Sequence, residues 1–573
     1  LEFEQKLNFI TEGLRFKALA SFKNWSSTTN SASAGWNKYH LQDFSVDDNG
    51  VYSFVTRLQN ESGGEVSTDL KPGVANSGDR RFYFQAIMDY NRTFGKHDVN
   101  AMFIYNQDEL VTQLFSGDLI AALPKRKQGV AARLSYAYDG KYLAEVNMGY
   151  NGSENFAKGH RWGFFPSIAV GYNISEEAFF EPLKNVFSNM KIRASWGLVG
   201  NDNIGGARFV YMPTINLTGT GYTTGLDGDI TYKGPVYSRY GNPEVTWEVG
   251  KKVNVGLDLQ LFNSLNLTMD YFHETRTDIF QERGTIPQYL GTAGTKVFGN
   301  LAAMKNQGFD FAADFNKKIG KDWFISFKGT FTYAHNEITK YDESPKYAFQ
   351  SKVGQSANIP SIMISDGLFK DPDDVKNSNQ QIGGNLSAGD IKYVNISKLY
   401  GYDDDIVDIS DWVWAKNPTV PEIVYGFGPS IRWKNLDFSF FFQGVAKVSL
   451  VMSDFHPFGD NSLRNVLTWI ADDRWSPDNQ NINATYPRLT RDTSVNNTQR
   501  SDYWLRNAAF IKLKNAEIGY TYKNMRFYVS GMNLATFSPF KHWDPEQGGG
   551  NGLKYPTQRV FNFGFQMTIN NNR

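Results

Sequence analysis

The acidic run Tyr402-Asp403-Asp404-Asp405-Ile406-Val407-Asp408 offers the densest chemistry in the chain. Closely spaced carboxylates suit a hard cation such as Ca2+, but a calcium loop also needs a glycine for its sharp turn. None stands between Asp403 and Asp411. Asp403, Asp405 and Asp408 therefore form a degenerate metal site, and a solvated acidic loop is the simpler expectation. A second constellation is aromatic. Tyr211, Tyr222, Tyr232, Tyr237 and Tyr240 crowd one Gly- and Tyr-rich stretch, and Trp412 and Trp414 stand in another. Flat rings with polar tips can stack on sugars or pack against a partner, and they can equally hold loops together.

Nothing in the sequence points to catalysis. The seven histidines are scattered without a His-Glu-x-x-His, and Lys96 and Lys321 lack a phosphate-binding loop around them. With no cysteine, thiolate chemistry, iron–sulfur sites and disulfides are excluded. The 59 basic residues balance 59 acidic ones, so no nucleic-acid footprint is present. No enzyme and no cofactor are expected.

The elements that must position these loops are strands. From Gly308 to His335 the chain reads as a hairpin. Phe309, Phe311, Ala313 and Phe315 share one parity, with Asp310, Ala312 and Asp314 between them. After the turn Lys317–Asp322, Trp323, Ile325, Phe327, Gly329, Phe331 and Tyr333 share a face, and Ser326, Lys328, Thr330 and Thr332 take the other, with Phe324 the one large exception at the turn end. A period of two gives a strand two chemically different faces. Arms of about ten residues are long enough to cross a bilayer when tilted. Trp323, Tyr333, Trp433 and Tyr520 suit membrane interfaces.

The pattern repeats along the chain: about 17 strands, with short turns and long loops in alternation, predict a transmembrane antiparallel β-barrel. Short turns include Ile10–Gly13, Asp139-Gly140 and Lys317–Asp322. Long loops are expected near 25–79, 201–243, 338–420, 451–505 and 534–557, with a helical turn within 175–188 and a short helix over 461–471. A slip of alternation near Asn515 predicts a bulge. No apolar run of helix-spanning length occurs. Because barrels of this kind have even strand counts, an odd number of strands is expected before Leu1. The missing secretory signal points the same way.

Spread end to end are stretches that carry a family likeness. They include Arg92-Thr93-Phe94-Gly95-Lys96-His97, Arg161-Trp162-Gly163-Phe164-Phe165-Pro166-Ser167 and Lys191-Ile192-Arg193-Ala194-Ser195-Trp196-Gly197. Further on come Asn242-Pro243-Glu244-Val245-Thr246-Trp247-Glu248, Asn306-Gln307-Gly308-Phe309-Asp310 and Gly389-Asp390-Ile391-Lys392-Tyr393. Asp473-Arg474-Trp475-Ser476-Pro477, Tyr486-Pro487-Arg488 and Phe510-Ile511-Lys512-Leu513-Lys514-Asn515 complete the set. In order and spacing the chain resembles the barrel of SusC/RagA-type TonB-dependent outer-membrane transporters of Bacteroidetes.

The resemblance implies a 22-stranded barrel whose N-terminal plug and first strands are absent from this sequence. It implies import of a large nutrient, an oligosaccharide or alternatively a peptide, driven through TonB. A SusD-like surface lipoprotein would be the partner, in a dimer of transporter–lipoprotein pairs embedded in outer-membrane lipid. The acidic run stands where relatives carry a calcium loop. Asp310, Asp314, Lys328, Thr330 and Gln443 are then expected to line the lumen, and Phe309, Phe327 and Phe440 to face lipid. A passive porin or a surface adhesin on a barrel anchor are the rival functions.

Overall fold

In a computed structural model all residues are described except 60–63, 113–119, 121–122, 206, 288–294, 403, 454–465, 491–493 and 570–573. The chain forms two compact units: Leu1–Asp89, Met102–Ala131 and Asn151–Asn155 in one, and Tyr90–Ala101, Ala132–Tyr150 and Phe156–Arg573 in the other. A 17-stranded sheet dominates. Its first strands are β1 (Glu2–Lys6), β2 (Leu14–Ser33), β3 (Lys71–Phe94), β4 (His97–Thr112), β5 (Lys125–Tyr138) and β6 (Tyr142–Ser153). Next come β7 (Trp162–Asn173), β8 (Phe187–Asn201), β9 (Glu248–Leu261), β10 (Leu265–Glu282), β11 (Phe298–Ile319) and β12 (Trp323–Lys340). The last are β13 (Ile423–Trp433), β14 (Leu436–Ala446), β15 (Phe510–Tyr522), β16 (Met525–Phe537) and β17 (Val560–Met567).

From β9 to β17 each strand is antiparallel to the next in sequence, a meander in which every strand finds its partner through its own turn. The turns follow from residue type. Asp139 and Gly140 both take positive φ, 52° and 66°, as a two-residue hairpin turn requires. The expected bulge is present, since register shifts between Leu513 and Asn515. Short 3-10 turns, Ile174–Glu176 and Ala178–Leu183, fill the stretch expected to hold a helical turn.

Register sorts the side chains as the alternation predicts. Phe309 stands opposite Tyr271 and Tyr333, and Phe315 opposite Phe327. A row near the short turns runs Trp323, Trp433, Leu436, Tyr520, Phe527 and Phe565 across six strands. Within it Trp323 stacks on Trp433 at 5.6 Å. Trp323 and Tyr333 lie ten residues apart on one strand, about 33 Å of chain and about 25 Å of height at the usual barrel tilt. None of the described residues covers this face: Phe309 is 47% exposed, and Phe327, Phe438 and Phe563 are exposed too. Apolar area of that extent is costly in water and neutral in lipid.

The other face is charged and knitted together. Arg193 bonds Asp258 at 3.0 Å and Asp270 at 2.6 Å, Thr332 donates to Asp310 at 2.6 Å, and Arg526 pairs with Asp437 and Glu517. The buried apolar clusters lie outside the sheet faces, chiefly in the long connections.

Two stretches differ from expectation. Residues 25–33 and 71–79 are strand rather than loop, because β2 runs to Ser33 and β3 starts at Lys71. Cross-strand polar bonds, Thr28 Oγ1 to Asn76 at 3.0 Å and Ser31 Oγ to the Gly73 carbonyl at 3.3 Å, hold them. With both faces polar, no period of two marks them. The helix expected over 461–471 is Thr468–Asp472; residues 461–465 lie outside the described ones.

Candidate functional site: the packed connections

The described residues of the connections 341–422, 447–509 and 538–559 fold on each other rather than trailing from the sheet. Short ladders brace the first two internally, Ser361–Ile362 with Val413–Trp414, Ser365–Leu368 with Ile391–Tyr393, and Ser449–Val451 with Leu505–Asn507, and the bridges Met363 to Ser501 and Met452 to Gly550 join one connection to the next. They enclose a core of Met363, Ile391, Val407, Ile470, Tyr486 and Trp504, with Phe540 from the last connection. Loop backbone can be buried only where its polar groups are paired, and here side chains do much of the pairing. Asn497 Oδ1 accepts from Ile391 N at 2.9 Å, and Gln381 bonds both the N–H and the carbonyl of Tyr393.

At the centre Asp390 is 1% exposed and fully engaged. Arg488 Nε lies 2.7 Å from its Oδ1, Asn497 Nδ2 donates at 2.8 Å, and Ser387 N donates to Oδ2 at 2.8 Å. Gly389, beside it, has φ of 84°, and an added Cβ would meet the Trp475 ring at 2.2 Å. Trp475 N donates to the Tyr486 carbonyl, Tyr486 N to that of Asp473, and Arg488 N to that of Gly389. Three sequence motifs, one of them separated from Arg488 by 98 positions, thus close into one unit. Burial pushes the Tyr393 and Tyr503 phenols well above their ordinary range. They serve as neutral donors, to the Asn496 carbonyl at 2.9 Å and the Ala484 carbonyl at 2.6 Å.

A second clamp fixes the 538–559 connection. Lys512 of β15 is 1% exposed and reaches Asp544 at 2.7 Å and Glu546 at 2.5 Å. Burial alone would raise both carboxyl pKa values. The Lys512 ammonium, with a backbone N–H at Asp544 and Lys514 at Glu546, outweighs it and holds both below the usual range.

The family model "TonB dependent receptor-like, beta-barrel" matches residues 6–534. The chain belongs to that family. Among relatives, TonB-dependent receptor P3 of Formosa agariphila is 25% identical over 562 residues, covering 87% of this chain and 54% of that protein. TonB-dependent receptor SusC of Bacteroides thetaiotaomicron is 27% identical over 470 residues, covering 76% and 43%. The solved RagAB peptide transporter superposes with a TM-score of 0.69 at 20% identity, covering 97% of this chain and 60% of that one, a likeness of fold. The chain spans about half the length of the curated relatives it matches. As a TonB-dependent receptor barrel it is an outer-membrane protein, so the uncovered aromatic face is the one that meets lipid.

In this TonB-dependent receptor the predicted aromatic residues separate into two groups. Tyr222 and Tyr232 stand directly opposite each other on a hairpin, Thr214–Thr224 with Ile230–Arg239, and are 73% and 60% exposed. Tyr237 stacks on Tyr240 at 5.1 Å, while Tyr211 packs edge-on to Phe209 at 6.0 Å. Trp412 and Trp414 are drawn inward instead. Trp412 packs on the connection core, and Trp414 Nε1 donates to the Ser351 carbonyl at 2.9 Å. Among the described residues no ring contact joins the tyrosines to the tryptophans.

The acidic run is used locally. Asp403 lies outside the described residues. Asp408 caps a 3-10 turn, accepting from Ser410 N at 2.6 Å, and Asp411 accepts from Ser397 N and Asp408 N. Asp405 is exposed, 3.8 Å from Lys398. Asp390, Arg488 and Lys512 were visible only as members of motifs. A Gly-Asp pair opening an apolar strand was the signal for the first, but nothing local shows which cation it meets.

Proposed function

We propose that the intact protein imports a large nutrient, an oligosaccharide, across the outer membrane, using energy delivered through TonB and working with a SusD-like surface lipoprotein. A dimer of transporter–lipoprotein pairs is part of the proposal. One observation carries it: a sheet with an uncovered aromatic face on one side and rows of paired charges on the other, the division a lipid-embedded aqueous conduit requires. Relatives named as TonB-dependent receptors support the energy source. The packed connections support a fixed rim on which a lid can seat, and the exposed Tyr222 and Tyr232 are the rings we assign to ligand or lid contact.

The test is uptake of labelled oligosaccharides by cells carrying the intact protein, with and without TonB. Import should collapse on TonB deletion. Undiminished import would make the protein a passive pore, and surface binding without import would make it an adhesin. Import of labelled peptides in place of glycans would keep the mechanism and replace the substrate.

A further inference from the structure

The motif Asn306-Gln307-Gly308-Phe309-Asp310 is only partly explained by the fold. Gly308 is required because a Cβ there would lie 1.9 Å from the Tyr333 carbonyl oxygen, Phe309 meets lipid, and Asp310 accepts from Thr332. Asn306 plays no comparable part, and among the described residues no hydrogen bond to its side chain is found. It stands directly opposite Glu274 on one side and Asn336 on the other. The three form a polar row across β10, β11 and β12, on the same face as Asp270 and Asp310.

This row floors a pocket of about 300 Å3, whose walls include Arg276 beside the row and Asn358 and Pro421 from the 341–422 connection. Its carboxylates are already paired. Glu274 is bonded to Arg276 at 2.8 Å and lies 3.6 Å from Lys252, and Glu422 at the edge is held by His335 at 2.5 Å and Lys447 at 3.3 Å. Asn336 Oδ1 is taken by Ser356 Oγ and Ala357 N, which leaves its amide N–H groups as donors. A pocket whose carboxylates are already paired, and whose several amides offer donors and acceptors, suits a neutral ligand rich in both.

We infer that this pocket is a binding subsite for a neutral glycan segment, held by Asn306, Asn336 and Asn358 through its hydroxyl groups. The inference rests on the transport proposal above and names where its substrate touches the barrel. Spacing favours a glycan over a peptide. Neighbouring strands set Asn306 and Asn336 about 4.8 Å apart, near the length of one pyranose unit, whereas side chains of an extended peptide recur on one face at about 6.8 Å. The pocket also offers no strand edge for a peptide backbone to pair with: β10, β11 and β12 are joined to each other along the row.

The experiment titrates the purified full-length protein in detergent with neutral hexa- to octasaccharides of α-glucan, β-glucan and mannan type, and in parallel with a mixed octapeptide pool. Asn306→Leu and Asn358→Leu, singly and combined, are compared with wild type, and Thr330→Leu on the same face serves as the control. Heat-modifiable gel mobility checks that each variant is folded. At least one glycan series should bind wild type and lose about tenfold in affinity in the double variant, as expected for two lost hydrogen bonds, with the control unchanged. Glycan binding indifferent to both asparagines, binding of peptides alone, or no glycan binding would each overturn the subsite. Import that depends on TonB would still stand in those cases, because it is measured separately in cells.

Discussion

The β11–β12 hairpin and the packed connections solve burial in opposite ways. In the hairpin, apolar residues alternate, with Phe324 at the turn end the one large exception, and stay uncovered, Phe309 and Phe327 among them, because their apolar surroundings come from lipid. In the connections, apolar residues follow no period, yet Met363, Ile391 and Tyr486 are fully buried. There the surroundings are water, so the chain has to supply its own interior and satisfy its own backbone. The solvent around each region thus decides whether sequence periodicity or long-range pairing specifies it.

The sharpest way to break that comparison is to remove a charge on which only one region depends. Asp390→Asn keeps the side chain's shape but leaves Arg488 without its buried counter-charge, a loss of about 3–5 kcal/mol for a pair of this kind. Hydrogen exchange across 361–414 and 469–507 should rise sharply while heat-modifiable mobility of the barrel persists. Simultaneous loss of both would show the two regions to be one cooperative unit. The reciprocal change is Phe327→Arg, which places a charge in the lipid-facing band and should cost about 2–4 kcal/mol, against a small effect for Thr330→Arg on the polar face. Folded protein in the outer membrane should fall for the first and not for the second; equal tolerance would mean that the two faces do not divide lipid from water.

The same contrast explains what could be seen in the sequence. The hairpin 308–335 was legible because alternation, Trp323 and Tyr333 state the two faces and their limits within thirty residues. Strand over 25–33 and 71–79 was not, because two polar faces leave no period to detect. In the connections the Asp390–Arg488 pair spans 98 positions, and no local pattern encodes a partner that far away. Tyr222 and Trp414 look alike in sequence, as aromatic residues in polar loops; only tertiary packing makes one exposed and the other a hydrogen-bonded part of a core.

A gentler probe is pH. Asp544 and Glu546 have folded-state pKa values below their unfolded ones, so their contribution to docking is fully present above the ordinary carboxylate range and is lost as pH falls through the folded values. Protection of 538–559, taken relative to the intrinsic exchange rate at each pH, should therefore stay high at pH 6 and fall toward pH 3, ahead of the sheet. Lys512→Met should make that segment labile already at neutral pH, since two carboxylates would then face each other with Lys514 as their remaining close cation. A segment that stays protected at low pH would show that apolar contacts of Phe540, rather than the clamp, hold it.

The smallest effect on stability belongs to the exposed tyrosines, and that is what makes them informative. Tyr222→Ala with Tyr232→Ala removes two rings that face solvent, so the change should stay within about 0.5 kcal/mol. By contrast Trp414→Phe sacrifices a hydrogen bond to the Ser351 carbonyl and should cost about 1 kcal/mol. If the tyrosines serve ligand or lid, the double variant will lose import or lipoprotein association at unchanged thermal stability, and Trp414→Phe will do the reverse. Were the tyrosine variant to unfold the 214–239 hairpin instead, these rings would be packing residues, and the division of aromatic residues by burial would no longer be a division by role.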